Sequence, residues 1–201
     1  MKSNITKRSN IIWIFTIMAF FSYGLSFCIE NDYKVLMYWD SVHSFTENEH
    51  SLANWLTGGT ANAAINSNGE IEMKLDISGI PHVLSSPELN ILTESFDAVK
   101  IVYQSLLEYN KEKNPEIAVI LVDEILAEKY SFARDSVSSE DINYLSRPMK
   151  SNMLTIEIFN FKEHIKWKEN IKIKGINIAP RFDSDALEGK LIISSIELVK
   201  F

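Results

Sequence analysis

Cysteine occurs once in the 201 residues, at Cys28, so the chain cannot close an internal disulfide or build a thiolate zinc cluster. Glycine (seven) and proline (five) are too sparse for a collagen-like or low-complexity architecture, and no internal repeat is visible. Basic residues are outnumbered, 20 Lys and Arg against 27 Asp and Glu, for a formal net charge of −7. Binding to nucleic acid or to anionic lipid rests on clustered cations, and the sequence gives no reason to expect either. Four histidines are present, His43, His50, His82 and His164, none in the spacing of H-E-x-x-H or another short zinc motif. Gly-x-Ser-x-Gly is absent, and Gly58-Gly59 lacks the Lys-Ser/Thr that would complete a phosphate loop. Glycosidase chemistry needs two carboxylates across a sugar bond, and among 27 acids no pair is singled out.

What is present begins at the N-terminus. Lys2, Lys7 and Arg8 precede residues 11–21 (IIWIFTIMAFF), an apolar run interrupted only by Thr16, and residues 22–28 (SYGLSFC) then turn small and mixed. That run is short for a membrane-spanning helix and fits the apolar region of a secretory signal over residues 1–27. Two processing routes stay open. Gly24-Leu25-Ser26 suits cleavage before Phe27, while Leu25-Ser26-Phe27-Cys28 resembles a bacterial lipoprotein box that would make Cys28 the acylated residue. The first 27 residues hold three bases and no acid, so their removal takes the net charge from −7 to −10. The expected location is the periplasm, the cell surface or the exterior.

After residue 28 the dominant signal is a two-residue rhythm. Residues 71–77 (IEMKLDI) alternate strictly, Val99, Ile101 and Tyr103 share one phase, and Leu154, Ile156 and Ile158 alternate with Thr155 and Glu157. Residues 117–122 (IAVILV) are continuously apolar, as in a strand covered on both faces. Ile171 and Ile173 alternate with lysines, and Gly175 marks a bulge before Ile176 and Ile178. Residues 34–39 form the expected first strand and residues 191–201 the last. Asn68-Gly69 between Ile65 and Ile71 predicts a hairpin, and Gly58-Gly59, residues 79–81 and Asn114-Pro115 predict turns. Short helix is expected only within residues 122–133 or 138–145. The fold class is all-β, a jelly-roll sandwich in one domain over residues 30–201.

The C-terminal third carries a resemblance. Trp167-Lys-Glu-Asn-Ile171-Lys-Ile173-Lys-Gly-Ile176-Asn-Ile178-Ala-Pro180, an acidic loop, and then Gly189-Lys-Leu-Ile-Ile-Ser194-Ser195-Ile196-Glu-Leu198 resemble the closing strands of galactose-binding-like jelly-roll domains. Trp55-Leu-Thr-Gly-Gly59, Gly79-Ile-Pro81 and residues 86–91 resemble the segments that introduce the early strands. The resemblance implies a carbohydrate-binding module, alone or appended to an enzyme acting on polysaccharide. It also implies a structural calcium near the end of the last strand, where this sequence has Ser194-Ser195 and no Asp. Asp183, Asp185 and Glu188 are the carboxylates available to such an ion, and a solvated acidic turn explains them as well. No cofactor is therefore assigned.

Sugar recognition stacks flat side chains on the apolar C–H faces of the ring while polar neighbours bond its hydroxyls. Trp39, where a strand meets a loop, and Tyr130, Tyr144 and Arg147, in the irregular stretch 127–150, are the ligand-binding candidates. Trp55 and Trp167 read as packing residues. His43 and His50, flanking Glu47 and Glu49, could form a carboxylate–imidazole cluster, but a polar loop between the first strand and Trp55 is the preferred reading. The expected function is non-catalytic glycan or polysaccharide binding. Two alternatives stand beside it: a structural or adaptor protein of the envelope that binds another protein, and a polysaccharide hydrolase or lyase.

Overall fold

Strands form wherever apolar and polar residues alternate in the computed structural model, which describes residues 33–46, 48–56, 58–59, 62–75, 82–108, 115–124, 144–150, 152–164, 167, 170–181 and 188–201. These belong to one unit, Tyr33–Phe201. The elements are β1 (Lys34–Asp40), a 3₁₀ turn (Leu52–Leu56), β2 (Gly58–Gly59), β3 (Asn62–Ile65), β4 (Ile71–Leu75), β5 (Leu84–Ser85), β6 (Ile91–Leu92), a second 3₁₀ turn (Thr93–Ser95), β7 (Ala98–Glu108), β8 (Glu116–Asp123), β9 (Tyr144–Pro148), β10 (Leu154–Asn160), β11 (Lys172–Arg181) and β12 (Glu188–Lys200).

They make two antiparallel sheets of six strands each. The first runs β10-β7-β12-β4-β3, with β1 also on β12; the second runs β2-β5-β11-β8-β9, with β6 also on β11. The inward sides of both sheets supply one core, in which Trp39, Trp55, Tyr103, Phe96, Phe159 and Phe161 are among the largest fully buried side chains. Each fully buried large apolar side chain contributes about 1.5–3 kcal/mol. The all-β sandwich expected from the rhythm is the fold observed.

The long strands follow their patterns. Ile71, Met73 and Leu75 are buried while Glu72 and Lys74 are not, and Val99, Ile101 and Tyr103 point inward. The β3–β4 hairpin turns at Asn68-Gly69. In β11 the register slips between Ile173 and Gly175, so Ile173 and Ile176 both reach the core although they stand three apart. Ser86 holds that slip: its hydroxyl accepts the Ile176 N–H at 2.9 Å and donates to the Pro87 carbonyl at 2.8 Å.

Three local expectations change. Gly58-Gly59 is not a free turn but the short strand β2, paired with β5. Residues 144–148, expected as loop or helix end, form β9 and pair with β8. That ladder supplies backbone partners which the local sequence YLSRP, without clean alternation, does not announce. In β10 the expected face is reversed: Thr155 and Phe159 are buried, while Leu154 and Ile156 are 66% and 63% exposed.

One buried charge fastens the seam where β7 begins and β12 ends. Asp97 is buried, and its carboxylate accepts the Phe201 N–H at 2.9 Å and the Lys200 ammonium at 3.1 Å, with Lys162 at 3.4 Å. Its backbone N–H donates to the Val199 carbonyl, and its carbonyl accepts the N–H groups of Phe161 and Lys162. Burial pushes the carboxyl pKa up, but the Phe201 N–H and the two lysines outweigh it and hold the group below the ordinary carboxylate value. A carboxylate with a lowered folded pKa stabilises the protein above its unfolded pKa and loses that contribution as pH falls through the folded one. Asp97→Asn is expected to cost about 2 kcal/mol at neutral pH in chemical denaturation. The gap between wild type and variant should narrow when the same titration is run at about pH 3; a gap independent of pH would refute the assignment.

Candidate functional site

Strand alternation sorts the residues of β1 onto two faces. Met37 and Trp39 point into the core, across from Leu198 and Ile196 of β12, whereas Tyr38 and Asp40 point outward, across from Glu197 and Ser195. Trp39 is 1% exposed and meets Trp55 edge-on at 5.2 Å. Its indole is a core element and offers no face to a ligand. Tyr38, one residue earlier, is the aromatic that this strand turns outward.

Around Tyr38 the loop following β1 assembles a second ring system. His50 stacks on Tyr38 with centroids 4.1 Å apart and planes 2° from parallel, and His43 stands edge-on to both at 5.8 Å. Asp40 fixes His43 twice: one carboxylate oxygen accepts its backbone N–H at 3.0 Å and lies 2.7 Å from Nδ1. The Nδ1 of His50 lies 3.1 Å from the Tyr38 carbonyl oxygen. Carbonyls and carboxylates only accept, so each ring turns a protonated Nδ1 to its partner, and the neutral form of His43 presents Nε2 as an acceptor. Glu49 stands 3.5 Å from Nε2 of His50. The sequence reading preferred a plain polar loop here; the structure brings both histidines together with Asp40 and Tyr38.

The loop is held by its own polar groups. Ser44 Oγ donates to the Asp40 carbonyl, Thr46 Oγ1 to the His43 carbonyl and Asn48 Nδ2 to Thr46 Oγ1, while Asn48 Oδ1 accepts the His50 N–H. The Asp40 N–H donates to the His50 carbonyl, and the Ser41 N–H donates to the Ser194 carbonyl of β12. On this frame Val42 and Phe45 are 78% and 67% exposed. An aromatic ring displayed on a loop so thoroughly bonded is pre-ordered for contact, because little conformational freedom remains to be lost on binding.

The β3–β4 hairpin supports the loop from the side. Gly69 has φ +81°, and a Cβ there would lie 2.1 Å from the Ser41 carbonyl oxygen and 3.0 Å from Phe45. Glu70 accepts Ser194 Oγ–H at 2.6 Å and Asn66 Nδ2–H at 3.1 Å. Burial raises its carboxyl pKa, but the hydrogen bonds from Ser194, Asn66 and Asn68 prevail and lower it. Ser194, where the family resemblance placed a calcium ligand, instead ties the hairpin to the central strand.

The candidates chosen from sequence do not converge. Tyr144 is buried opposite Ile120, and Arg147, three residues on, points to the other face of β9. There Arg147 Nε lies 3.9 Å from Glu157 of β10, so the pair spans the flank where the edge strands of the two sheets face each other. Tyr130, Cys28, Asp183 and Asp185 lie outside the described residues, and Glu188 opens β12 opposite Glu108. Trp167 packs on the core beside Phe96 and Phe161, as expected. Among the described residues, no three His, Cys, Asp or Glu side chains are placed to hold a metal ion. The Asp40-x-x-His43 turn and the outward phase of Tyr38 were the available signals for the observed cluster.

No protein-family model matches the chain, and no curated protein matches it in sequence. Five solved chains match it in structure. One is the glycoside hydrolase domain of Spr0440, Endo-D, from Streptococcus pneumoniae R6, at 10% identity and TM-score 0.42 over 72% of this chain and 20% of that one. Another is CBM86, a low-affinity xylan-binding module from Roseburia intestinalis, at 13% identity and TM-score 0.42 over 71% of this chain and 86% of that one. The chain thus spans about a fifth of the first protein's length.

Because Gly69 combines a left-handed backbone with contact against Ser41 and Phe45, Gly69→Ala should destabilise the fold by about 2–4 kcal/mol in urea titration. Amide resonances of the loop should shift with it. A variant as stable as wild type, with unmoved loop resonances, would mean that the hairpin does not support the site.

Proposed function

We propose that this chain is an exported glycan-binding protein that holds sugar on the loop between β1 and the first 3₁₀ turn without cleaving it. The observation that carries the reading is Phe45, an exposed aromatic on a pre-ordered loop. Its neighbours on that loop and strand are an outward tyrosine, two imidazoles and a carboxylate. A sugar ring on Phe45 would place apolar C–H groups against the benzene face, and its hydroxyls would find acceptors in Nε2 of His43 and in the Glu49 carboxylate. The galactose-binding-like class named by the resemblance is the finer form of this proposal.

Export belongs to the same reading. It rests on the basic start, the apolar run over residues 11–21 and the small residues before Phe27 and Cys28. Mass spectrometry of the mature N-terminus distinguishes a free Phe27 from an acylated Cys28.

Binding is tested by affinity electrophoresis of the folded protein through gels containing plant and bacterial polysaccharides, followed by Phe45→Ala on any that retard it. The expected outcome is retardation by at least one polysaccharide and a loss of about tenfold in affinity in the variant. Free migration through every gel, or a variant retarded as strongly as wild type, would overturn the proposal.

A further inference from the structure

The chain holds one Asn-Gly pair, Asn68-Gly69, in the turn of the β3–β4 hairpin. An asparagine side-chain amide can be attacked by the backbone nitrogen of the next residue, and glycine, with no Cβ, leaves that nitrogen least shielded. Every other asparagine precedes a residue with a side chain, among them Trp55, Ile91, Phe161 and Ile171. The two asparagines of the turn differ in freedom. Asn66 is tied down: its Nδ2 donates to Glu70 at 3.1 Å, and its Oδ1 accepts the N–H of Asn68 at 2.8 Å and of Glu70 at 3.1 Å. Asn68 stands exposed to water, with its side chain donating to Glu70.

We infer that Asn68 is a site of spontaneous deamidation, and that its conversion to isoaspartate removes the support of the loop after β1. The Gly69 nitrogen gives its proton to solvent and bonds to Cγ of Asn68. The bond from Cγ to Nδ2 breaks, ammonia leaves, and a succinimide closes. Water then opens the ring: cleavage at the main-chain carbonyl gives isoaspartate, and cleavage at Cγ gives aspartate. In sum one water enters and one ammonia departs, with no oxidant or reductant. In the folded chain the Gly69 N–H is donated to the Asn66 carbonyl at 3.1 Å. The turn therefore slows the first step relative to the unfolded chain, but it does not hide the amide.

Two features make the fold sensitive to this change. Isoaspartate adds a methylene to the main chain immediately before Gly69, a residue with no room on its loop side. A Cβ there would lie 2.1 Å from the Ser41 carbonyl oxygen and 3.0 Å from Phe45. The product is also a carboxylate where Glu70 now receives an N–H. A carboxylate cannot donate, so a hydrogen bond is replaced by repulsion between two negative charges. Glu70 accepts the Ser194 Oγ–H at 2.6 Å, and the repulsion falls on the group that ties the hairpin to β12. The longer main chain and the added charge both work against the contact between hairpin and loop.

The test is storage of the folded protein for several weeks at warm temperature and mildly alkaline pH, followed by peptide mapping. The peptide holding Asn68 should gain about 1 Da before any other asparagine peptide does. It should also become a substrate for an isoaspartate-specific methyltransferase. The modified protein should melt about 5 °C lower by circular dichroism, with shifted amide resonances over residues 41–46. Asn68→Ser should keep its own starting melting temperature through the same storage. Asn68→Asp, which adds the charge without the methylene, should melt between wild type and the isoaspartate form. The chain stored in urea shows that the chemistry proceeds under these conditions. If it is modified while Asn68 of the folded protein stays intact, the inference is overturned. Modified protein that melts like fresh protein, with unmoved loop resonances, overturns it as well. These outcomes are independent of glycan binding at Phe45.

Discussion

One irregularity in the central strand organises the first sheet. Along one edge β12 is shared between two partners, β4 over residues 189–193 and β1 over residues 195–200. The exchange falls at Ser194, where the register with β7 on the opposite edge also slips. The bulge leaves the Ser194 carbonyl free to take the Ser41 N–H as the chain leaves β1, and its hydroxyl free to reach Glu70 on the hairpin. The loop, the hairpin and both strand ends converge on this residue because a regular ladder would have consumed its polar groups.

From that junction the rest of the site follows by geometry. A loop departing between two abutting strands leaves the ladder, so its backbone must be satisfied by its own turns and side chains. Asp40, Ser44, Thr46 and Asn48 meet that need, and Gly69 supplies the close approach that lets the hairpin act as a wall. Polar satisfaction therefore decides the shape of the loop. Val42 and Phe45 are displayed while Ser44 between them is buried.

The sequence made the sandwich legible because long strands bury one face, and a period of two is then hard to mistake. Ile71 to Leu75, Val99 to Tyr103 and the bulged Ile173 to Ile178 were readable for that reason, as was the Asn68-Gly69 turn. Faces were harder. On β1 the choice of Trp39 rested on its place where the strand meets the loop, whereas pairing with Ile196 and Glu197 is what sets the directions of Trp39 and Tyr38. On β10 hydrophobicity pointed the wrong way, since at a sandwich flank the inward side of an edge strand can hold an acid that reaches an arginine. Tyr144 and Arg147 looked like neighbours until β9 placed them on opposite faces. Each of these failures lies at the level of tertiary pairing, which no local pattern encodes.

The order of the strands along the chain has a kinetic consequence. β12 pairs with β1, β4 and β7 and follows all three in sequence, while Lys34 at the start of β1 faces Lys200 at the end of β12. The first sheet therefore lacks its middle member until nearly the whole unit has been made, and its closure joins residues far apart in sequence, a topology that folds slowly. For a chain we propose to be exported, delay is an advantage. A polypeptide that cannot zip itself up early stays threadable, and under that proposal its shape would be acquired after transport.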